Sequence, residues 1–263
     1  MNLKRGLNPF VRTLKVIRQA RATERILDQL GPAPSASPGY SGNADLITHG
    51  DLGMLGNDQY GDCVFADIAH RIMVRTAQAG QGAIVTPTQA ETLALYTEVT
   101  GFDPNDPSTD HGGDLVTAAE YMQKTGMLIG GVRHTEDGNG IIDPANIDHI
   151  KWAICLFGCA PAGWKFPQSG MAQFDAGQPF DIVPSTSVPS SPDHDMLILE
   201  YRPQEPCWMV ATWGKRWEMT TAFLKACLSE VVPVGASDFI CANGLAPSGV
   251  NLPQILQLLS EIN

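Results

Sequence analysis

Helical and strand patterning are segregated along this 263-residue chain, and that segregation is what most limits the folds open to it. From Asp62 to about Ala77, Val64, Phe65, Ile68, Ala69, Ile72, Met73 and Val74 give the spacing of a buried helix, with Asp62 placed to cap it. A second helix is expected from Thr86, as N-cap, with Pro87 in the first turn, to Gly101. A third spans Asp114 or Leu115 to Lys124, stopping at Gly126, and a fourth runs from Ile147 to about Leu156. Past that point the apolar residues form short continuous runs instead, at 160–166, 196–201 and 207–213, as strands do. Residues 168–193, rich in Gly, Pro and Ser, read as a long surface loop, and the D-G-N-G stretch at 137–140 as a hairpin turn. Helices first and strands later, with little alternation, predict an α+β fold of two lobes rather than a doubly wound sheet. The helical lobe is expected over about 54–158, and the antiparallel β lobe over about 159–245.

Ahead of this body, residues 10–30 have the pattern of an amphipathic helix ending before Gly31-Pro32. Residues 31–45 are a Pro/Gly/Ser-rich linker, which makes 1–30 an arm and 46–263 the main domain. The arm holds seven of the seventeen basic residues and only two acids, whereas the whole chain has a net charge of −11. An acidic body argues against nucleic-acid binding except at the arm, and a basic arm on such a body can clamp onto it or dock a partner or a second copy. No apolar run has signal-peptide or membrane-spanning length, so the expected location is cytoplasmic or virion-associated, with no membrane contact. The six cysteines contain no C-x-x-C pair and suit a reducing compartment. The acidic run 103–110 lacks the EF-hand pattern and reads as a turn. No metal or cofactor is expected.

The segment N-D-Q-Y-G-D-C-V, residues 57–64, places Cys63 at the first turn of the buried helix, where the helix dipole favours thiolate. Asn57, six residues earlier, can donate to an oxyanion. A cysteine alone is more often a small core hydrophobe, so chemistry here requires a base. His194, which directly precedes the apolar run 196–201, is the candidate.

Together with A-T-W-G-K-R-W at 211–217, these segments resemble the papain-like cysteine peptidase superfamily. Its members carry a Gln six residues and a Gly two residues before the cysteine, a helix after it, a strand opening with His, and an N-S-W-G-x-x-W segment. His111-Gly112-Gly113-Asp114, ahead of a helix, is similar to the family's Gly-Gly turn. The pattern also looks close to bacterial and phage proteins carrying L-G-N-D-x-Y-G-D-C and T-W-G. The resemblance implies a papain-like two-lobed fold and a thiol hydrolase acting on a peptide or amide bond. It makes Cys63 the nucleophile, His194 the base, Asn57 an oxyanion donor, Trp213 and Trp217 an aromatic shield, and Gly112 and Gly113 the backbone that pairs with a peptide or protein substrate.

Two departures stand out. Ala211 occupies the place of the Asn that orients the family's histidine, and Thr212 can substitute only if the strand register shifts. Asp62 opposes a thiolate at Cys63. These departures keep open a catalytically weak or inactive scaffold, for example a virion component docking through its basic arm, and also an acyl transferase using the same dyad. An inhibitory propeptide is a further reading of the arm.

Overall fold

The computed structural model describes residues 3–11, 13–37, 51–80, 82–246 and 248–260. Their elements in chain order are β1 (Leu7–Asn8), α1 (Leu14–Asp28), α2 (Cys63–Ala79), α3 (Gln89–Thr100), β2 (Gly113–Asp114), α4 (Leu115–Lys124), β3 (Met127–Ile129), β4 (Val132–His134), β5 (Gly138–Asn139) and α5 (Ile147–Phe157). There follow β6 (Ala160–Trp164), α6 (Gln168–Asp175), β7 (His194–Tyr201), β8 (Trp208–Thr212), β9 (Lys215–Met219), α7 (Thr221–Cys227), β10 (Leu228–Val231), β11 (Val234–Gly235) and α8 (Leu252–Ser260). The fold is α+β, as the patterning requires.

Helix α2 is buried along nearly its whole length. One side packs with α3 and α4 through Phe65, Ile68, Tyr96 and Met122. The opposite side meets the five-stranded antiparallel sheet, ordered β10-β6-β7-β8-β9. Strand alternation divides β7 between two cores. Leu197 and Leu199 join Met73 and Val74 of α2, while Met196 and Ile198 join the aromatic core of Trp164, Phe166 and Phe223 on the far face. A helix buried on all sides must pair its charges, and Arg71 bonds Asp67 (2.5 Å) and Glu136 (2.6 Å), which also accepts from Arg75. Burial outweighs the arginine partners at Asp67, whose carboxyl rises to about 6.

Several expectations need correction. The N-cap of α3 is Thr88, not Thr86: its hydroxyl accepts from Glu91 N–H, and the Glu91 carboxylate accepts from Thr88 N–H. Asp62 stands at the N-cap of α2 but makes no capping bond; its carboxyl is buried and pushed well up. The stretch 168–193 contains α6, in which Met171 and Phe174, three residues apart, face the aromatic core. D-G-N-G is not a hairpin turn: β5 pairs with the distant β11. The helical lobe also contains the β3–β4 hairpin, and α7 interrupts the β lobe.

Within the arm, the helix begins only at Leu14, capped by the Thr13 hydroxyl. It lies on the body: Lys15 pairs with Glu120 (2.6 Å), Gln19 donates to the Asn139 carbonyl (3.2 Å), and His149 bonds Asp28 (3.0 Å). Of the expected linker, residues 31–37 are also fastened, with Ser37 N–H donating to the Tyr201 carbonyl (3.0 Å); 38–45 fall outside the described residues.

Candidate active site

Cys63 opens α2 and His194 opens β7, so two element termini carry the candidate pair. The Asp195 N–H, one residue past His194, lies near enough to the Cys63 sulfur to favour its thiolate, but no hydrogen bond joins that sulfur to the His194 ring. Both side chains are buried. The His194 ring stacks on Trp213 (centroids 4.3 Å, 13° between planes) and meets the Phe166 edge. Its Nε2 lies 2.9 Å from Thr212 Oγ1. Among the described residues Nδ1 has no hydrogen-bond partner. With the Nε2 proton donated to Thr212, Nδ1 presents a free lone pair. Burial, and secondarily the Arg5 charge, pull the imidazole down to about 3, so it is neutral here.

The register explains why Thr212, and not Ala211, meets the imidazole. Leu197 opposes Ala211, which places Thr212 opposite Met196 on the face that Met196 shares with His194. Ala211 lies on the helix-facing side with Leu197. The condition set for Thr212 is thus met: it, and not Ala211, lies on the imidazole's face of the strand.

Trp213, at φ +44, turns the chain immediately after β8. Trp217 packs on Phe174 (4.5 Å) and donates to the Gln178 carbonyl, so in this structure Trp213 and Phe166 flank the imidazole and Trp217 stands outside them. Asn57 is buried beside the small cavity that Cys63 also lines. Its amide donates to the Tyr60 carbonyl (3.3 Å), within its own turn.

Residues 4–8 lie across the cleft, with Leu7–Asn8 as strand β1. Lys4 N–H donates to the Asn57 carbonyl (3.3 Å), Leu7 N–H to the Asp193 carbonyl (3.2 Å), and Gly113 N–H to the Gly6 carbonyl (2.7 Å). Leu7 and Asn8 pair in parallel with Gly113 and Asp114. Arg5 donates to the Phe166 carbonyl (2.9 Å) and pairs with Asp193 (2.8 Å), and the Trp213 indole N–H donates to the Lys4 carbonyl (3.1 Å). Gly6 lies beside the nucleophile position, its N–H near enough to the sulfur to favour the thiolate. The K-R-G-L-N sequence carries no periodicity, which hid this role; its only cue was a glycine amid larger residues.

Burial pushes the Cys63 thiol well above its usual value, and the Asp195 carboxyl pushes it further; the two N–H groups near the sulfur oppose this only in part. In this closed arrangement burial outweighs the expected helix-dipole effect. Asp195 itself is fully buried, makes no full hydrogen bond through either oxygen, and has its pKa raised by that burial. Alternation could have found it: a histidine facing the aromatic core sends the next side chain toward α2. Among the described residues, no cluster of three or more His, Cys, Asp or Glu side chains is arranged to hold a metal, and no helix is long and apolar enough to cross a membrane.

No protein-family model and no curated protein sequence matches the chain. Solved structures do. The cysteine protease xylellain from Xylella fastidiosa superposes with a TM-score of 0.61 at 11% identity, over 90% of this chain and 98% of that one. The Carica candamarcensis cysteine protease CMS1MS2 gives 0.54 at 13%, over 77% and 99%. Digestive procathepsin L 3 of Tenebrio molitor larval midgut gives 0.52 at 12%, over 81% and 79%.

Proposed function

From the papain-like cysteine protease fold that this chain has, we propose that it is a thiol hydrolase of peptide or amide bonds, held at rest by its own residues 4–8. The observation that carries the reading is that segment: a peptide backbone lies beside Cys63, bonded to Gly113 on one wall and to Asp193 on the other. A groove that binds main-chain N–H and C=O groups on both sides suits an extended peptide. The seated segment presents an amide N–H, not a carbonyl carbon, to the sulfur, so it blocks the site instead of reacting.

Once the arm leaves, the thiol proton passes to His194 Nδ1 and the sulfur attacks the substrate carbonyl carbon. Thr212 holds the imidazole through Nε2, and the Cys63 N–H with Asn57 takes the oxyanion after a side-chain rotation. The C–N bond breaks, the amine leaves with the proton from His194, and water cleaves the thioester to a carboxylate and the free thiol. Peptides and proteins are the substrate class.

Gly6→Val tests this in the full chain, because a Cβ at position 6 falls 1.8 Å from the Gly61 carbonyl oxygen and cannot seat. Iodoacetamide labelling of Cys63 is expected to rise about 100-fold or more over the intact chain, with cleavage of a quenched peptide library appearing alongside. Labelling without cleavage would end the hydrolase reading. The second reading, an inactive scaffold, is favoured by one observation, the buried acid Asp195 against the sulfur, and predicts that outcome.

A further inference from the structure

Gly6 lies between two other glycines. A Cβ on Gly6 would fall 1.8 Å from the Gly61 carbonyl oxygen, and a Cβ on Gly112 would fall 1.8 Å from the Gly6 carbonyl oxygen. Those walls are tied to each other behind the cleft. Gly112 N–H donates to the Tyr96 hydroxyl (2.8 Å), the hydroxyl donates to Asp110 Oδ1 (2.7 Å), and both Asp110 oxygens accept from Gly61 N–H (3.0 and 3.1 Å). The Tyr96 ring is itself fixed, stacked on Phe102 at 4.4 Å. The gap beside the nucleophile is therefore set by a hydrogen-bonded brace and does not depend on side chains that can swing aside. On either side of the constriction the walls differ. One neighbour, Arg5, meets a carboxylate and a carbonyl; the other, Leu7, is buried with the apolar residues of the helical lobe.

We propose that the cleft selects peptides with glycine at the residue lying beside Cys63, flanked by a basic residue on one side and an aliphatic residue on the other, with Tyr96 and Asp110 as the positioning residues that enforce the glycine. This rests on the hydrolase reading for catalysis but not for binding. A productive peptide presents its carbonyl carbon to the sulfur, and the constriction acts on a residue whose Cβ points, as one on Gly6 would, at the Gly61 carbonyl oxygen. The two flanking preferences exchange order if the direction reverses.

The test uses the full-length Gly6→Val chain, whose own arm cannot seat, and two capped hexapeptides, Leu-Lys-Arg-Gly-Leu-Asn and its counterpart with alanine in place of glycine. Protection of Cys63 from iodoacetamide measures binding, and mass spectrometry of the peptides measures cleavage. The glycine peptide is expected to protect at a concentration about 30-fold lower than the alanine peptide, the size of an overpacking clash. Replacing Arg by Glu in the glycine peptide is expected to weaken protection further. Tyr96→Phe, which keeps the ring stack and removes the hydroxyl, should shrink the glycine-to-alanine ratio to a few-fold; Asp110→Asn is the second variant should that chain not fold. Equal protection by both peptides, or protection by neither, overturns the proposal. An undiminished ratio in both brace variants overturns the role of Tyr96 and Asp110. Selective protection without cleavage leaves the binding inference standing and is the result expected of a peptide that seats as residues 4–8 do, so the hydrolase reading then stands or falls on the quenched peptide library; cleavage of both peptides at equal rates removes the binding inference and keeps the hydrolase reading.

Discussion

The two faces of β7 treat their ionisable groups in opposite ways. On the aromatic face His194 is stacked, edge-packed and hydrogen-bonded to Thr212. On the helix face its neighbour Asp195 is equally buried, yet neither carboxyl oxygen makes a full hydrogen bond. The first side chain is held in one orientation with one nitrogen left free. The second is a desolvated acid against a thiol: burial raises the pKa of both, and the acid raises the thiol further. Adjacent residues on one strand thus separate two tasks: orienting a base and suppressing a thiolate.

The sharpest way to break this contrast is to remove its common target. In the Gly6→Val chain, Cys63→Ala is expected to abolish peptide hydrolysis, a loss of about 10⁴-fold or more in kcat/KM, while binding of the glycine peptide survives. Residual turnover above a tenth of the parent rate would show that the chemistry lies elsewhere. Next, Thr212→Val in the same background removes the hydroxyl from the aromatic face. It should lower kcat by roughly 10–100-fold with little change in KM, and Thr212→Ser should restore most of it. A change confined to KM would mean that Thr212 does not act through His194.

On the helix face the expected effect is on stability. Because the folded pKa of Asp195 lies above its unfolded value, the native state holds a proton that the unfolded chain has released. Its contribution is therefore greatest below about pH 4 and declines as pH rises toward the folded pKa, by up to about 1.4 kcal/mol per pH unit. Asp195→Asn should raise the melting temperature at pH 8 more than at pH 5; an equal gain at both would show that the acid is not held protonated. The smallest effect concerns the arm. His194, drawn down to about 3 by burial and by Arg5, is neutral while the arm is seated. Arg5 leaves with the arm and removes the lesser of the two causes, so protonation as pH falls favours the open state. Hydrogen-exchange protection of the Gly6 and Leu7 amides should fall from pH 7 to pH 5 after correction for intrinsic rates. Constant protection would rule out this linkage.

Much of this arrangement is legible in the sequence where local rules decide it. Helix α4 lies where Asp114 and Lys124 mark its ends, because an Asp cap and an apolar stripe act within a few residues. Cys63 and His194 are also visible, since each opens an element with a strong apolar pattern. What local rules do not decide is hidden. Helix α6 is masked by the Gly, Pro and Ser around it and is defined by Phe174 meeting Trp213 and Trp217. Strand β5 exists only through its partner β11. The seating of Gly6 requires Gly61 and Gly112, brought together through Asp110 and Tyr96, and no window of sequence contains all of them.

The anchoring of α1 has a kinetic consequence. Because Lys15, Gln19 and Asp28 fasten the helix to the body, residues 4–8 meet their groove at the effective concentration of a short tether, of order millimolar. A segment of modest intrinsic affinity is then sufficient for occupancy, and its release is a first-order event that dilution does not accelerate. Severing the chain between Asn8 and α1 would turn that clock into an ordinary bimolecular equilibrium, in which the same five residues, once diluted, no longer hold their place.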